Sequence, residues 1–219
     1  MADGFAELID RANGFFTDLA ANNRRDWFEE RKAFYKSEIQ QPGQLLADLM
    51  AEELSRMTGT AHRAKLFRIY RDVRFSKDKS PYNPHLHISW LPTDGEYLSP
   101  QWFFGSAPDY LVLCTGLPGL QGDALTRWRA FADAEGDEIE SAIVEAENSI
   151  GAGLSGWGAS PLKRVPKPYA ADHPHGDLLK RKSLILEATP KDWRENGLIP
   201  ALRTAAKGLL PIWQLCTRV

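Results

Sequence analysis

Only two of the 219 residues are cysteine, Cys114 in an apolar run and Cys216 close to the last residue. Nothing around them suggests the paired framework that staples small secreted domains, so two incidental thiols are expected and not a disulfide. Long apolar runs are missing too. None approaches the ~18–20 residues that span a bilayer, and Met1-Ala2-Asp3-Gly4 opens no basic segment followed by an apolar one. A cytoplasmic protein without a membrane partner is the expectation. Charge imbalance is small: 27 Lys and Arg against 29 Asp and Glu leave a net −2, which argues against a polyanion binder working through bulk charge. Any nucleic-acid role must rest on a local patch. Nucleotide and nucleophile signatures are absent as well: there is no P-loop, no G-x-S-x-G elbow and no G-x-G-x-x-G after a strand. Gly151-Ala152-Gly153 resembles a cofactor loop only superficially, and a surface loop around Trp157 explains it better.

What is present is a globular composition, 43% hydrophobic with seven Trp and ten Phe, which excludes disorder. Apolar residues recur at helical spacing over 5–20 (Phe5, Leu8, Ile9, Ala12, Phe16, Leu19), with Gly14 weakening the middle. Asp26 three residues before Glu29 reads as a capping box for the next helix, and Pro42 as the opening of a third. The period then becomes two. Phe67, Ile69, Val73 and Phe75 alternate with Arg68, Tyr70, Asp72 and Arg74, predicting a first strand, with Arg71 out of phase as a bulge or internal salt bridge. Ser76–Asn83 reads as a turn. Strands follow at His85–Leu91, Tyr97–Phe104 and Tyr110–Gly116, and their short separations predict an antiparallel meander. Helices return over Asp123–Ala132 and Asp137–Ile150. Ser183–Ala188 reads as a strand, Thr189-Pro190 as the cap of a short helix and Pro200 as the start of a last one. The fold class expected is α+β: a mainly antiparallel sheet of about four or more strands, packed with N-terminal, central and C-terminal helices, in one domain over 1–219.

The densest chemistry lies in Lys65–Tyr82, KLFRIYRDVRFSKDKSPY. Between Arg63 and Lys79 stand seven Lys or Arg and two Asp. Arg68–Tyr82 resembles the signature of an uncharacterised family, the domain of unknown function 2461. Three further stretches fall in the family's order: Asn22-Asn23 with Trp27-Phe28, Lys32 and Tyr35; Leu162-Lys163 with Pro166-Lys167-Pro168-Tyr169; and Asp172-His173-Pro174 with Leu178-Leu179-Lys180. The resemblance covers about 13–195. Two positions depart from it: Asn83 stands where Lys is expected after the Pro-Tyr pair, and Pro168 where Gly is expected, removing a cation and some backbone freedom. The resemblance implies no activity and no cofactor. It does imply that this basic segment and a second one, Leu162–Lys182 with Lys163, Arg164, Lys167, Lys180, Arg181 and Lys182, belong to one folded unit.

Two readings of the basic stretch stand side by side. In one, Arg68, Arg71, Arg74, Lys77, Lys79 and Tyr82 form a basic cleft for a small anionic ligand. Guanidinium forks and ammonium groups grip phosphate or carboxylate, and Lys163, Lys167 and His173 close the opposite wall if the family-like segments meet. In the other, the Arg and Asp residues form only a structural ion-pair network in an interaction protein, with the surplus cations paired by the acidic stretch Asp133–Glu147 or simply solvated. Ser76 beside Lys77 and Lys79 is a candidate nucleophile, and Asp72 or Asp78 a candidate general base; neither role is demanded by the spacing. A nucleic-acid module is the other class, with Phe67, Tyr70, Phe75 and Tyr82 stacking bases between cations. His85-x-His87 has a spacing that metal sites use, yet no third ligand accompanies it or the His173–His175 pair, so no metal is expected.

Overall fold

The first apolar stripe forms a single unbroken helix, α1 (Phe5–Ala21), in the computed structural model, which describes residues 4–95 and 99–219. Gly14 lies on its exposed face and does not interrupt it. Helix α2 (Arg25–Phe34) begins after an extended Arg24 without a side-chain cap. The capping box expected from Asp26 and Glu29 is therefore not formed: Asp26 lies in the first turn, where its charge suits the positive end of the helix dipole. A π-helical turn, Tyr35–Gln40, leads directly into α3 (Gln41–Thr58). The wide turn comes just before Pro42, which has no N–H for a regular i→i−4 bond and whose ring crowds the preceding turn.

Six strands make one sheet: β1 (His62–Leu66), β2 (Leu86–Pro92), β3 (Gln101–Ala107), β4 (Tyr110–Leu117), β5 (Gly153–Leu154) and β6 (Leu184–Ala188). Their order is β1-β2-β3-β4-β6-β5, with every neighbouring pair antiparallel. The fold is α+β and the first four strands are the expected meander. Tyr97 and Leu98, placed in the third strand by their pattern, lie outside the described residues.

The first strand is shorter and earlier than the alternation predicts. It ends at Leu66, and Phe67–His85 leaves the sheet. The register pairs Leu66 with Ile88, and Phe67 still donates its N–H to the His87 carbonyl. Continued in that register, residue 70 would face Pro84, which has no N–H to give. The segment closes on itself instead: Arg71 N–H donates to Pro81 O, Asn83 N–H to Ile69 O, and Tyr70 bridges Tyr82. Of the supposed inward positions Ile69 is buried, while Phe67 is 40% and Phe75 96% exposed.

Helices α4 (Gly122–Ala134), α5 (Gly136–Ile150), α6 (Gly176–Leu179), α7 (Trp193–Asn196) and α8 (Leu198–Cys216) complete the described chain. Thr189-Pro190 does not cap α7; Asp192 stands at that position. Pro200 falls in the first turn of α8, where a missing N–H costs nothing. Leu86, Ile88, Trp90, Trp102, Phe104, Leu113 and Leu186 face α1, α3 and α8 in one hydrophobic cluster that runs from Phe5 to Cys216. The Trp90 indole N–H donates to Ala47 O of α3 at 2.8 Å. No described helix is long and apolar enough to cross a membrane.

Candidate functional site

The loop 67–85 is held to the helical layer by Asn23 and by ring packing on Phe28. Asn23 donates from Nδ2 to Tyr82 O at 2.9 Å and accepts the Tyr82 N–H on Oδ1 at 3.1 Å. Tyr82 is 2% exposed, and its ring stacks on Phe28 at 4.2 Å beside Tyr70. The Asn-Asn and Trp-Phe pattern near residue 25 and the Pro-Tyr end of the basic stretch are thus two halves of one contact.

Within the loop the acids take the nearest cations. Asp78 accepts the Ser80 hydroxyl at 2.7 Å and the Ser80 N–H at 2.9 Å, and it pairs with Arg71. These bonds hold its carboxyl well below the usual range, the Ser80 hydroxyl contributing most. Asp72 receives a forked contact from Arg74, Nε to Oδ1 at 3.0 Å and Nη2 to Oδ2 at 2.7 Å, and is likewise lowered, mainly by that side chain. Lys79 donates to Val73 O at 3.1 Å. Neither Asp is tuned toward neutral pH as an efficient general base would be. The Ser76 hydroxyl makes no hydrogen bond among the described residues, so no base is aligned to take its proton. Arg68 and Lys77 are exposed and form no ion pair among the described residues. The acidic stretch Asp133–Glu147 does not supply their partners. α5 packs on α4 and α8, so Glu135 and Glu138 pair with Arg218, Asp133 with His173, and Asp137 and Glu140 approach His175.

The sheet face turned away from α1, α3 and α8 carries a different chemistry. Cross-strand register sets Phe67, His87, Gly105 and Val112 in one row, and Lys65, Ser89, Phe103, Cys114 and Glu187 in the next. His85 stacks on His87 with ring centroids 3.5 Å apart, and His87 Nε2 lies 2.6 Å from the Tyr110 hydroxyl. Burial, with the second imidazole adding to it, pushes His87 down to about 3; burial and then Arg71 lower His85. Burial, followed by Asp109, pushes Tyr110 up to about 12. Near neutral pH the site therefore presents neutral imidazoles and an intact phenol. Trp157 leans on Phe103 at 4.9 Å and on Tyr110 and His87 at 5.8 Å. Gly105 makes room for this cluster, since a Cβ there would stand 3.0 Å from Tyr110 and 3.2 Å from Phe103.

Beside these rings lies a cavity of about 240 Å³, lined mainly by Phe103, Cys114, Gly116, Pro118, Trp157 and Ile185. Ser155 sets the Trp157 rim: its hydroxyl donates to Glu187 and accepts the Trp157 N–H at 3.1 Å. The Cys114 thiol at the floor is pushed up to about 12, by burial first and Glu187 second, so it is a packing group and not a nucleophile. Phe67 joins the cavity to the basic loop, its ring meeting Phe103 at 6.2 Å and His87 at 6.3 Å.

The second basic segment is placed differently. His173 Nδ1 accepts the His175 N–H at 3.1 Å, so its Nε2 carries the proton and donates to Asp133 at 2.8 Å. Lys163 and Lys167 are exposed. No hydrogen bond, ion pair or ring contact among the described residues joins Lys163, Lys167 or His173 to the 67–85 loop. The side chains that build the aromatic wall, Phe103, Tyr110 and Trp157, were not singled out by motif reading. A Trp in a glycine-rich loop was their one visible signal.

No curated protein matches the chain. The family model described as conserved hypothetical protein (DUF2461) matches residues 11–214, further in both directions than the motifs alone suggested. The chain belongs to that family.

Proposed function

We propose that the protein binds a small anionic ligand between the 67–85 loop and the aromatic face of the sheet. The observation that carries this is the pairing pattern of the loop. Asp72 and Asp78 pair with Arg74 and Arg71, whereas Arg68 and Lys77 stay solvent-facing and form no ion pair among the described residues, Arg68 acting on Asp72 only at longer range. One residue from Arg68, Phe67 touches the wall formed by His87 and Phe103. A phosphate or carboxylate would take the guanidinium and ammonium groups, while a flat apolar part would enter beside Trp157. The cavity, about 240 Å³, is below the ~300–1,000 Å³ of drug-sized sites, which favours a ligand of about one ring over a dinucleotide.

A thermal-shift and calorimetric screen of inorganic phosphate, nucleoside monophosphates and aromatic carboxylates tests the reading. A ligand at a hundred times its dissociation constant stabilises by ~2.7 kcal/mol. The shift should vanish in an Arg68→Ala, Lys77→Ala double variant and weaken in Trp157→Ala. If none of these compounds raises the melting temperature, or if the shift survives the double variant, the site is not the one described.

A single-stranded nucleic acid is the second reading, favoured by Phe75, which is 96% exposed with Arg74 5.9 Å from its ring. It predicts oligonucleotide binding that falls steeply with salt. Lack of both kinds of ligand would leave the Arg–Asp pairs as a structural network in an interaction protein.

A further inference from the structure

Where the second basic segment reaches α5, the fold assembles a group of side chains that no motif announces. Asp137 and Glu140 stand three residues apart in the first turns of α5, on one face of the helix. His175, just before α6, brings its imidazole to them. One ligand atom from each of the three falls within 4.8 Å of the others. We propose that Asp137, Glu140 and His175 bind one divalent transition-metal ion, with Zn²⁺ the best match to a mixed imidazole and carboxylate set.

Three observations support a built site. His175 is 9% exposed, and its Nδ1 is sealed from solvent without a hydrogen-bond partner; such an orphaned polar atom demands a reason, and a bound ion is one of the few available. Glu140 Oε1 stands 3.4 Å from Nδ1, a metal-ligand and not a hydrogen-bond separation. Asp137 Oδ1 is nearer the other ring nitrogen, 3.7 Å from Nε2, and its fully exposed side chain can turn toward an ion held at Nδ1. Charge-assisted N–H···O contacts to a protonated imidazole would close to ~2.7–2.9 Å. Ligands bonded at ~2.0–2.2 Å to one tetrahedral ion lie roughly 3.3 Å apart. Finally, the backbone is shaped around the ring: a Cβ on Gly136 would come within 2.1 Å of His175 Cγ, so the first residue of α5 has to be glycine for the imidazole to lie there. The loop is braced from behind by His173, which accepts the His175 N–H and donates to Asp133 of α4. Asp137 and Glu140 keep 99% and 46% of their side-chain surface open, leaving room for water on the remaining coordination positions.

The test uses the full chain, stripped of metal with a chelator and titrated with Zn²⁺ by calorimetry and with Co²⁺ by visible absorption. One ion per chain, a raised melting temperature and a loss of affinity of at least about tenfold in each of Glu140→Gln and Asp137→Asn are expected. Both substitutions sit on exposed or half-exposed side chains, so the variants should keep the parental circular dichroism; His175→Gln, at a buried position, is a supporting variant only. Absence of stoichiometric binding to the parent chain overturns the proposal. So does binding that is unchanged in both carboxylate variants, including the case in which it is lost on replacing His85 and His87.

Discussion

Removing the Asn23 side chain should loosen the 67–85 loop on the helical layer, leaving the packing of Tyr70 and Tyr82 on Phe28 as its remaining hold. Asn23→Ala deletes two partly buried hydrogen bonds, to the N–H and to the carbonyl of Tyr82, at 3.1 and 2.9 Å. Each such bond contributes about 0.5–1.5 kcal/mol net, and the abandoned Tyr82 groups add a desolvation cost wherever water cannot replace the amide. The sum is about 2–3 kcal/mol. At ~2–4 °C per kcal/mol for a chain of this size, the melting temperature should fall by roughly 5–10 °C. Urea unfolding followed by tryptophan fluorescence and a calorimetric melt both read this. Asn22→Ala is the control, because that side chain only donates to Asp18 O at the exposed end of α1, and it should cost about 0.5 kcal/mol or less. Asn23→Asp keeps the acceptor for Tyr82 N–H and loses the donor, so it should fall between the two. If Asn23→Ala costs no more than Asn22→Ala, the loop is not anchored as described.

The histidine pair makes a second prediction, with a definite sign. His87 sits at about 3 in the folded chain, below its usual ~6.5, and burial also lowers His62 and His85. A depressed folded value means that the unfolded chain takes up protons first, so this stability is complete above pH ~6.5 and drains away as pH falls toward 3. Asp72 and Asp78, also depressed, add the same sign only below about pH 4. The melting temperature should therefore drop between pH 6.5 and 4.5, and less steeply in His87→Phe; equal slopes would contradict the burial of His87. A third prediction concerns Arg74, whose side chain is 77% exposed and whose ion-pair partner among the described residues is the half-exposed Asp72. Arg74→Ala should leave the melting temperature within about 2 °C of the parent, and a drop several times larger would mean that a buried carboxylate depends on it.

Legibility differed by kind of feature. The helices, the antiparallel meander and the α+β class follow from local periodicity, because burying one face of a strand or helix imposes its period on the chain. The strand expected at Phe67–Phe75 failed for a reason its own pattern does not contain: a strand extends only while its neighbour can pair, and β2 begins at Leu86 beyond Pro84. The surplus of cations was legible, and so was the supply of acids, but not which acid meets which cation. Asp72 and Asp78 serve the loop, whereas Asp133 at the end of α4 meets His173 and the acidic face of α5 turns to Arg218 and His175. Likewise, His173 and His175 looked unaccompanied because their carboxylates come from two other helices.

By itself, then, the sequence determined the family, the fold class and the stretch in which Arg68, Lys77 and their neighbours concentrate charge, since each is written in residue type and short-range spacing. Tertiary structure alone decided that Asn23 clasps Tyr82, that Trp157 closes over Phe103 and His87, and that Asp137, Glu140 and His175 meet. Those contacts join residues far apart in the chain through strand register and helix packing. No local pattern carries that information, because each side chain's partner is set by where the rest of the molecule brings it.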